Sequence, residues 1–160
     1  MHGGCYSYSL MNSNTIEKLS MTQLQYIETI HSLCLRHEHA HTKDIADMLN
    51  VKMSSVVDAL KGLVKLELID YRVRQPVTLT TCGIEVANVL SERHEVFADF
   101  FRNILGLDAQ YSENIASNIK HVIDDKIRSR LSDFNSFLKE ESDGFYAKII
   151  NKFTDNKKQE

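Results

Sequence analysis

Residues 42–65 read TKDIADMLNVKMSSVVDALKGLVK, and the fold turns on where the apolar residues fall within this stretch. Ile45, Ala46 and Leu49 sit on one helical face, Asn50 and Val51 interrupt it, and Val56, Val57, Leu60, Leu63 and Val64 resume a helical period. The pattern predicts two short helices joined by a tight turn, the second starting at about Ser54. Ala46 is small where the helices must cross closely, Val51 is expected to close their shared core, and Thr42 is placed to cap the first helix.

Upstream, Ile16, Leu19, Leu24, Ile27, Ile30 and Leu33 predict one amphipathic helix from about Ile16 to Leu35, followed by the polar loop RHEHAHT over 36–42. Downstream, the period shifts from that of a helix to that of a strand. LIDYRV and VTLT are short β-favouring runs flanking Arg74, Gln75 and Pro76, which suits a hairpin with proline at its edge. Thr80 or Thr81 then caps a long helix that Gly106 ends. A shorter helix is expected from about Ser112 to Ile123, and Asp124 caps another carrying Ile127, Leu131, Phe134 and Leu138. FYAKIINKF reads as a last amphipathic stretch before a charged end.

The expected fold is therefore mainly α: an N-terminal winged helix-turn-helix with a small β-hairpin wing, and a C-terminal all-helical dimerisation domain. The divisions are a flexible tail over 1–15, a winged domain over 16–81, a helical domain over 82–155 and a charged tail over 156–160. In this layout the second helix of the pair enters the major groove of DNA. Lys52, Ser54, Ser55, Asp58 and Lys61 project away from its apolar face toward base edges and phosphates, and Thr42 joins them at the start of the preceding helix. Arg72 and Arg74 at the hairpin tip suit the adjacent backbone or minor groove. Asp58 is the exception, since a carboxylate repels phosphate unless it accepts from a cytosine amino group.

Composition bounds the function. A net charge of −3 excludes a protein that coats nucleic acid by bulk charge, but residues 51–80 hold five basic residues against three acidic ones. No apolar run approaches the roughly 18 residues of a membrane span, and the opening MHGGCYSYSL lacks the pattern of a secretory signal, so a cytoplasmic protein without membrane partners is expected. Cys5, Cys34 and Cys82 form no CxxC pair and read as free thiols.

LQYIETIHSL (24–33), TKDIADMLNVKMSSVVDALKGL (42–63), VTLTTCGIEVA (77–87), SERHEVFADFF (91–101), ILGLD (104–108) and SNIKHVIDD (117–125) arrive in order and at the right distances. Together they resemble the diphtheria toxin repressor and manganese transport regulator family, over roughly Thr22 to Phe137. The short stretch after Phe137 is similar to the shorter, manganese-regulator type, without an SH3-like third domain. The resemblance implies a homodimer that binds a divalent metal, manganese or iron, between its domains and represses metal-homeostasis genes at a double-stranded DNA operator, expected to be an inverted repeat.

The resemblance also locates the family's metal ligands. On the first helix the pattern's two positions hold Gln25 and Glu28; the histidine of the RHE motif is His94; and the third cluster reads Ser117, Lys120 and His121, with only the last a ligand. Two carboxylates are thus replaced by neutral groups and a third by a cation, although manganese and ferrous iron favour carboxylate-rich sites. A lysine ammonium about 4 Å from a divalent ion opposes it by several kcal/mol at an effective dielectric near 20. Helical spacing puts Ser117, Lys120, His121 and Asp124 on one stripe, so Lys120 is expected to face the same way as His121. Two readings stand. In one, Lys120 takes the place of the ion and pairs with Glu28, and no metal is needed. In the other, Glu28, His94 and His121 form a His₂Glu set suited to zinc.

Glu95 and Glu113 are replacement carboxylates or surface charges, and the alternating His37, His39 and His41 are solvated or gather on one side of an extended loop to bind a borderline metal. Phe97, Phe100, Phe101 and Ile104 read as helical core, and the Ile127 to Leu138 stripe as core or dimer interface. No nucleophile, further base or phosphate loop supports an enzyme. The rival to DNA binding is a winged-helix adaptor for other proteins.

Overall fold

The computed structural model describes residues 18–140 and the single positions 16, 148 and 152. Apart from the single positions 148 and 152, the expected FYAKIINKF helix lies outside the described residues, as do both tails. The chain divides into two compact units between Leu90 and Ser91.

In the first unit, helix α1 spans Met21–His37. Ser20 stops the predicted helix from reaching back to Ile16: its hydroxyl accepts from Gln23 N at 3.2 Å while the Gln23 side chain accepts from Ser20 N at 2.8 Å, a reciprocal cap. The expected face of Leu24, Ile27, Ile30 and Leu33 is buried, and Tyr26 and Thr29 widen it. Burial pushes the Tyr26 hydroxyl above its ordinary pKa. Helix α2 covers Thr42–Leu49 and α3 covers Met53–Lys65. Between them Asn50 adopts a left-handed conformation, with φ of 51°, and Val51 N donates to Ala46 O at 3.0 Å.

Two local details differ from the sequence expectation. His41, not Thr42, occupies the cap position of α2 and makes no side-chain capping bond, so Thr42 is the first helical residue. Val51 does not close the core; with its backbone bonded in the turn, its side chain stays 40% exposed.

Strands β1 (Ile69–Asp70) and β2 (Thr78–Leu79) pair antiparallel in the register Ile69 with Leu79 and Asp70 with Thr78. An isolated antiparallel bridge joins Ala40 to Val77. The long helix α4 spans Thr81–Asp99. Thr80 caps it as expected, its hydroxyl accepting from Gly83 N at 3.1 Å and donating to Glu67 O at 2.7 Å. Gly83 lets α4 approach the hairpin closely, because a Cβ built there would stand 2.0 Å from Leu68 O.

The second unit begins within α4. A π-helical turn at Phe100–Ile104 follows, and Gly106, with φ of 65°, ends the helical run. Helix α5 spans Ala109–Ile119, earlier than predicted, because Asp108 caps it by accepting from Tyr111 N at 3.0 Å. Helix α6 spans Asp125–Glu140, with the expected Asp124 cap accepting from Ile127 N at 2.8 Å. Phe97, Ala98 and Ala116 form the buried cluster, with Phe101, Ile119, Ile123 and Leu131 packed against it. Phe100 and Phe101 are only half-buried. Along α6, Leu131 packs against this cluster and Leu138 is half-buried, whereas Ile127, Phe134 and Phe137 are exposed, so the stripe is core only in part.

Candidate nucleic-acid interface and sensor residues

Helix α3 is amphipathic in the sense that matters for groove binding. Val56, Leu60 and Leu63 are fully buried, while Lys52, Ser54, Ser55, Asp58 and Lys61 are all exposed. Lys52 holds the cap position with an extended backbone and places the first turn of α3, including both serines, in solvent. Lys61 Nζ lies 3.1 Å from Asp58 Oδ1, so one of the two exposed cations on this face has a carboxylate partner one turn away. At the wing, Gln75 N donates to Arg72 O at 2.9 Å, Arg74 takes φ of 66°, and both arginines are exposed. Thr42 is half-buried at the start of α2.

The residues at the ligand positions are divided between the units: Gln25 and Glu28 on α1, His94, Ser117, Lys120 and His121 in the second unit. Gln25 is exposed and Glu28 half-buried. His94 Nε2 on α4 lies 3.2 Å from Glu113 Oε2 on α5, and Arg102 lies 3.5 Å from the other oxygen of that carboxylate. Glu113 is thereby the carboxylate that meets His94, whereas Glu95 is exposed.

The helical stripe expected through Lys120, His121 and Asp124 does not form, because α5 ends at Ile119. Lys120 is its terminal cap and Val122 N turns back to Ile119 O at 3.0 Å. The turn is fixed from beneath by Arg93, the neighbour of His94. Arg93 is 2% exposed and its guanidinium donates to Lys120 O at 3.4 Å and to Asp125 Oδ1 at 3.3 Å. Sequence reasoning assigned Arg93 no role, although an arginine and Asp125 flanking two ligand positions were the available signal.

As a donor set these residues do not fit a carboxylate-rich manganese or ferrous site. Gln25, Ser117 and Lys120 offer an amide, a hydroxyl and an ammonium, whereas such ions favour carboxylate oxygens.

Comparison with known proteins places these observations in a lineage. The model of the iron dependent repressor N-terminal DNA binding domain matches residues 18–77, and that of the iron dependent repressor metal binding and dimerisation domain matches residues 80–145. This chain belongs to the iron-dependent repressor family. The HTH-type transcriptional regulator MntR of Bacillus velezensis is 31% identical over 132 residues, covering 82% of this chain and 92% of that protein. An uncharacterised HTH-type transcriptional regulator of Methanocaldococcus jannaschii is 29% identical over 123 residues, 76% of this chain and 98% of the relative. Among solved structures, the hypothetical protein SSo2273 from Sulfolobus solfataricus superposes with a TM-score of 0.61 at 26% identity, covering 72% of this chain and 88% of that one. IdeR of T. acidophilum gives 0.61 at 27% identity, with 71% of this chain matching 53% of a longer protein, so the chain spans about half of IdeR's length.

The family consists of DNA-binding transcriptional regulators, not enzymes, and its second domain binds metal and dimerises. The manganese transport regulators to which the sequence is similar are among its members. No helix among the described residues is long and apolar enough to cross a membrane.

Proposed function

We propose that this protein is a homodimeric repressor, acting in the cytoplasm, that reads an inverted-repeat operator with α3 and no longer depends on manganese or iron as its carboxylate-rich relatives would. One observation carries the DNA reading: a continuous exposed polar ridge, Lys52, Ser54, Ser55, Asp58 and Lys61, backed by the sealed Val56, Leu60 and Leu63. Lys52 and Lys61 serve phosphates, Ser54 and Ser55 the base edges, Arg72 and Arg74 the flanking backbone, and Thr42 the phosphate at the start of α2. The exposed Ile127, Phe134 and Phe137 on α6 support a dimer surface.

For the sensor, Lys120 supplies the positive charge that an ion would bring and Glu28 is its counter-charge. The donor chemistry supports this, since replacing a ligand carboxylate by an ammonium both removes a donor and repels the ion. A second reading, in which Glu28, His94 and His121 hold zinc, is favoured by the 3.2 Å contact between His94 and Glu113, because a carboxylate commonly orients a ligating imidazole through its other nitrogen.

Fluorescence anisotropy with DNA from the gene's own upstream region tests the whole proposal. The metal-free reading expects the same operator affinity in chelator and in Mn²⁺, Fe²⁺ or Zn²⁺, and loss of that independence in Lys120→Glu. Zinc-dependent binding abolished by His121→Ala would establish the second reading instead, and no binding to any duplex would leave the adaptor function.

A further inference from the structure

The loop between α1 and α2 carries a feature that the repressor function leaves unused. Glu38 ends α1 in a left-handed conformation with its N–H bonded to Cys34 O, and His41 O accepts from Ile45 N at 3.1 Å, so residues 39–41 are pinned at both ends. In the middle, Ala40 is fully buried and exchanges both backbone hydrogen bonds with Val77, at 2.9 and 2.8 Å. Successive side chains of an extended segment point to opposite faces. With Ala40 directed inward, His39 and His41 emerge together on the outer side.

The two rings meet there at their outer nitrogens. His39 Nε2 and His41 Nε2 stand 3.2 Å apart, and the rings are nearly perpendicular, at 85°, with centroids 4.8 Å apart. Head-on pairing would separate the centres by the nitrogen distance plus two ring radii, which exceeds the observed 4.8 Å, so the ring axes converge at an angle. Two nitrogens each about 2.0–2.1 Å from a tetrahedral zinc ion stand about 3.3 Å apart, which matches this separation.

We propose that His39 and His41 form a two-imidazole chelate for a borderline divalent transition metal, of which zinc is the representative, on the DNA-binding unit itself. Neutral imidazole selects zinc, copper(II) or nickel over manganese. No third His, Cys, Asp or Glu side chain joins the pair among the described residues, so water completes the coordination. The backbone is already fixed in the binding conformation, and ordering the loop adds little cost. Because His41 is the cap residue of α2 and Ala40 is bridged to Val77 beside the wing, an ion here stiffens the segment that joins the helix pair to the hairpin.

The test is isothermal titration of Zn²⁺ into the full chain carrying His94→Ala and His121→Ala, which removes the ligand positions of the second unit. One zinc ion binds with micromolar affinity. Adding His39→Gln or His41→Gln weakens it about tenfold or more, whereas His37→Gln leaves it unchanged. Circular dichroism of each variant confirms the fold, and on the unsubstituted chain the imidazole NMR signals of His39 and His41 shift together as zinc is added. Failure to bind zinc at micromolar concentration, a loss below tenfold in either variant, or stationary imidazole signals would overturn the chelate and leave a simple histidine-to-histidine hydrogen bond.

Discussion

In the winged unit, Ile27, Ile30, Ile45, Leu60, Leu63 and Leu90 are sealed completely, and the cluster they build runs continuously from α1 through the hairpin into the start of α4. Among the described residues of the second unit the buried apolar cluster is Phe97, Ala98 and Ala116, the interior also holds Arg93, Ser112 and Asn135, and Ile127, Phe134 and Phe137 are exposed. Apolar burial provides about 25 cal/mol per Å², so the winged unit holds its shape by its own core, while the described part of the second unit leans more on polar bonds. Asn135 Oδ1 and Arg93 Nε are buried without a partner, which a fully optimised core would not tolerate.

The sharpest way to break this comparison is Leu60→Ala. A leucine at 0% exposure in a packed cluster costs about 2–5 kcal/mol when truncated, and urea denaturation should show that loss together with loss of operator binding. Arg93→Ala comes next, at about 2 kcal/mol. It releases Lys120 O and Asp125, but Arg128, 3.4 Å from the same carboxylate, retains part of the pairing. Its effect should appear in unfolding while the isolated DNA-binding step is spared. If Arg93→Ala proves as damaging as Leu60→Ala, the sensor interior is not the weaker of the two.

Phe134→Ser tests the second unit's outer face. Phe134 is 46% exposed in the protomer and lines a 580 Å³ depression with Phe100, Ile127 and Leu131. Burying such a ring against a second copy is worth about 1–2 kcal/mol, so sedimentation should show the dimer weakened about tenfold with protomer stability nearly unchanged. A dimer of undiminished affinity would remove α6 from the interface.

How much of this was legible beforehand follows the same division. The winged fold was readable because its signals are local: a 3.6-residue period, Asn50 in the turn, a shift to alternation at the hairpin, and Thr80 and Asp124 as caps. The misses were equally physical. A cap at His41 without a side-chain bond leaves no residue signature, so Thr42 was favoured. The end of α5 at Ile119 was hidden because Arg93, distant in sequence, holds the following turn. The meeting of Glu113 with His94 depends on two helices converging, which no spacing along one helix reveals. The exposed ridge on α3 matches the sequence expectation, but of its expected apolar back only Val56, Leu60 and Leu63 are sealed, with Val57 half-buried and Val64 exposed, and the sensor's donor set was visible only through resemblance.

The smallest effect concerns Asp58. The ion pair with Lys61 is solvent-exposed, with side chains 77% and 61% accessible, and is therefore worth at most about 1 kcal/mol to stability. Its larger consequence lies in DNA binding, where it occupies a cation on the face proposed to meet phosphate. Asp58→Asn should leave thermal unfolding nearly unchanged, raise operator affinity about two- to threefold, and steepen the dependence of log K on log salt by about 0.9, the increment for one more neutralised phosphate. A fall in affinity confined to operators carrying one particular cytosine would point the other way. Asp58 would then be accepting from that base, and the carboxylate would read sequence instead of restraining Lys61.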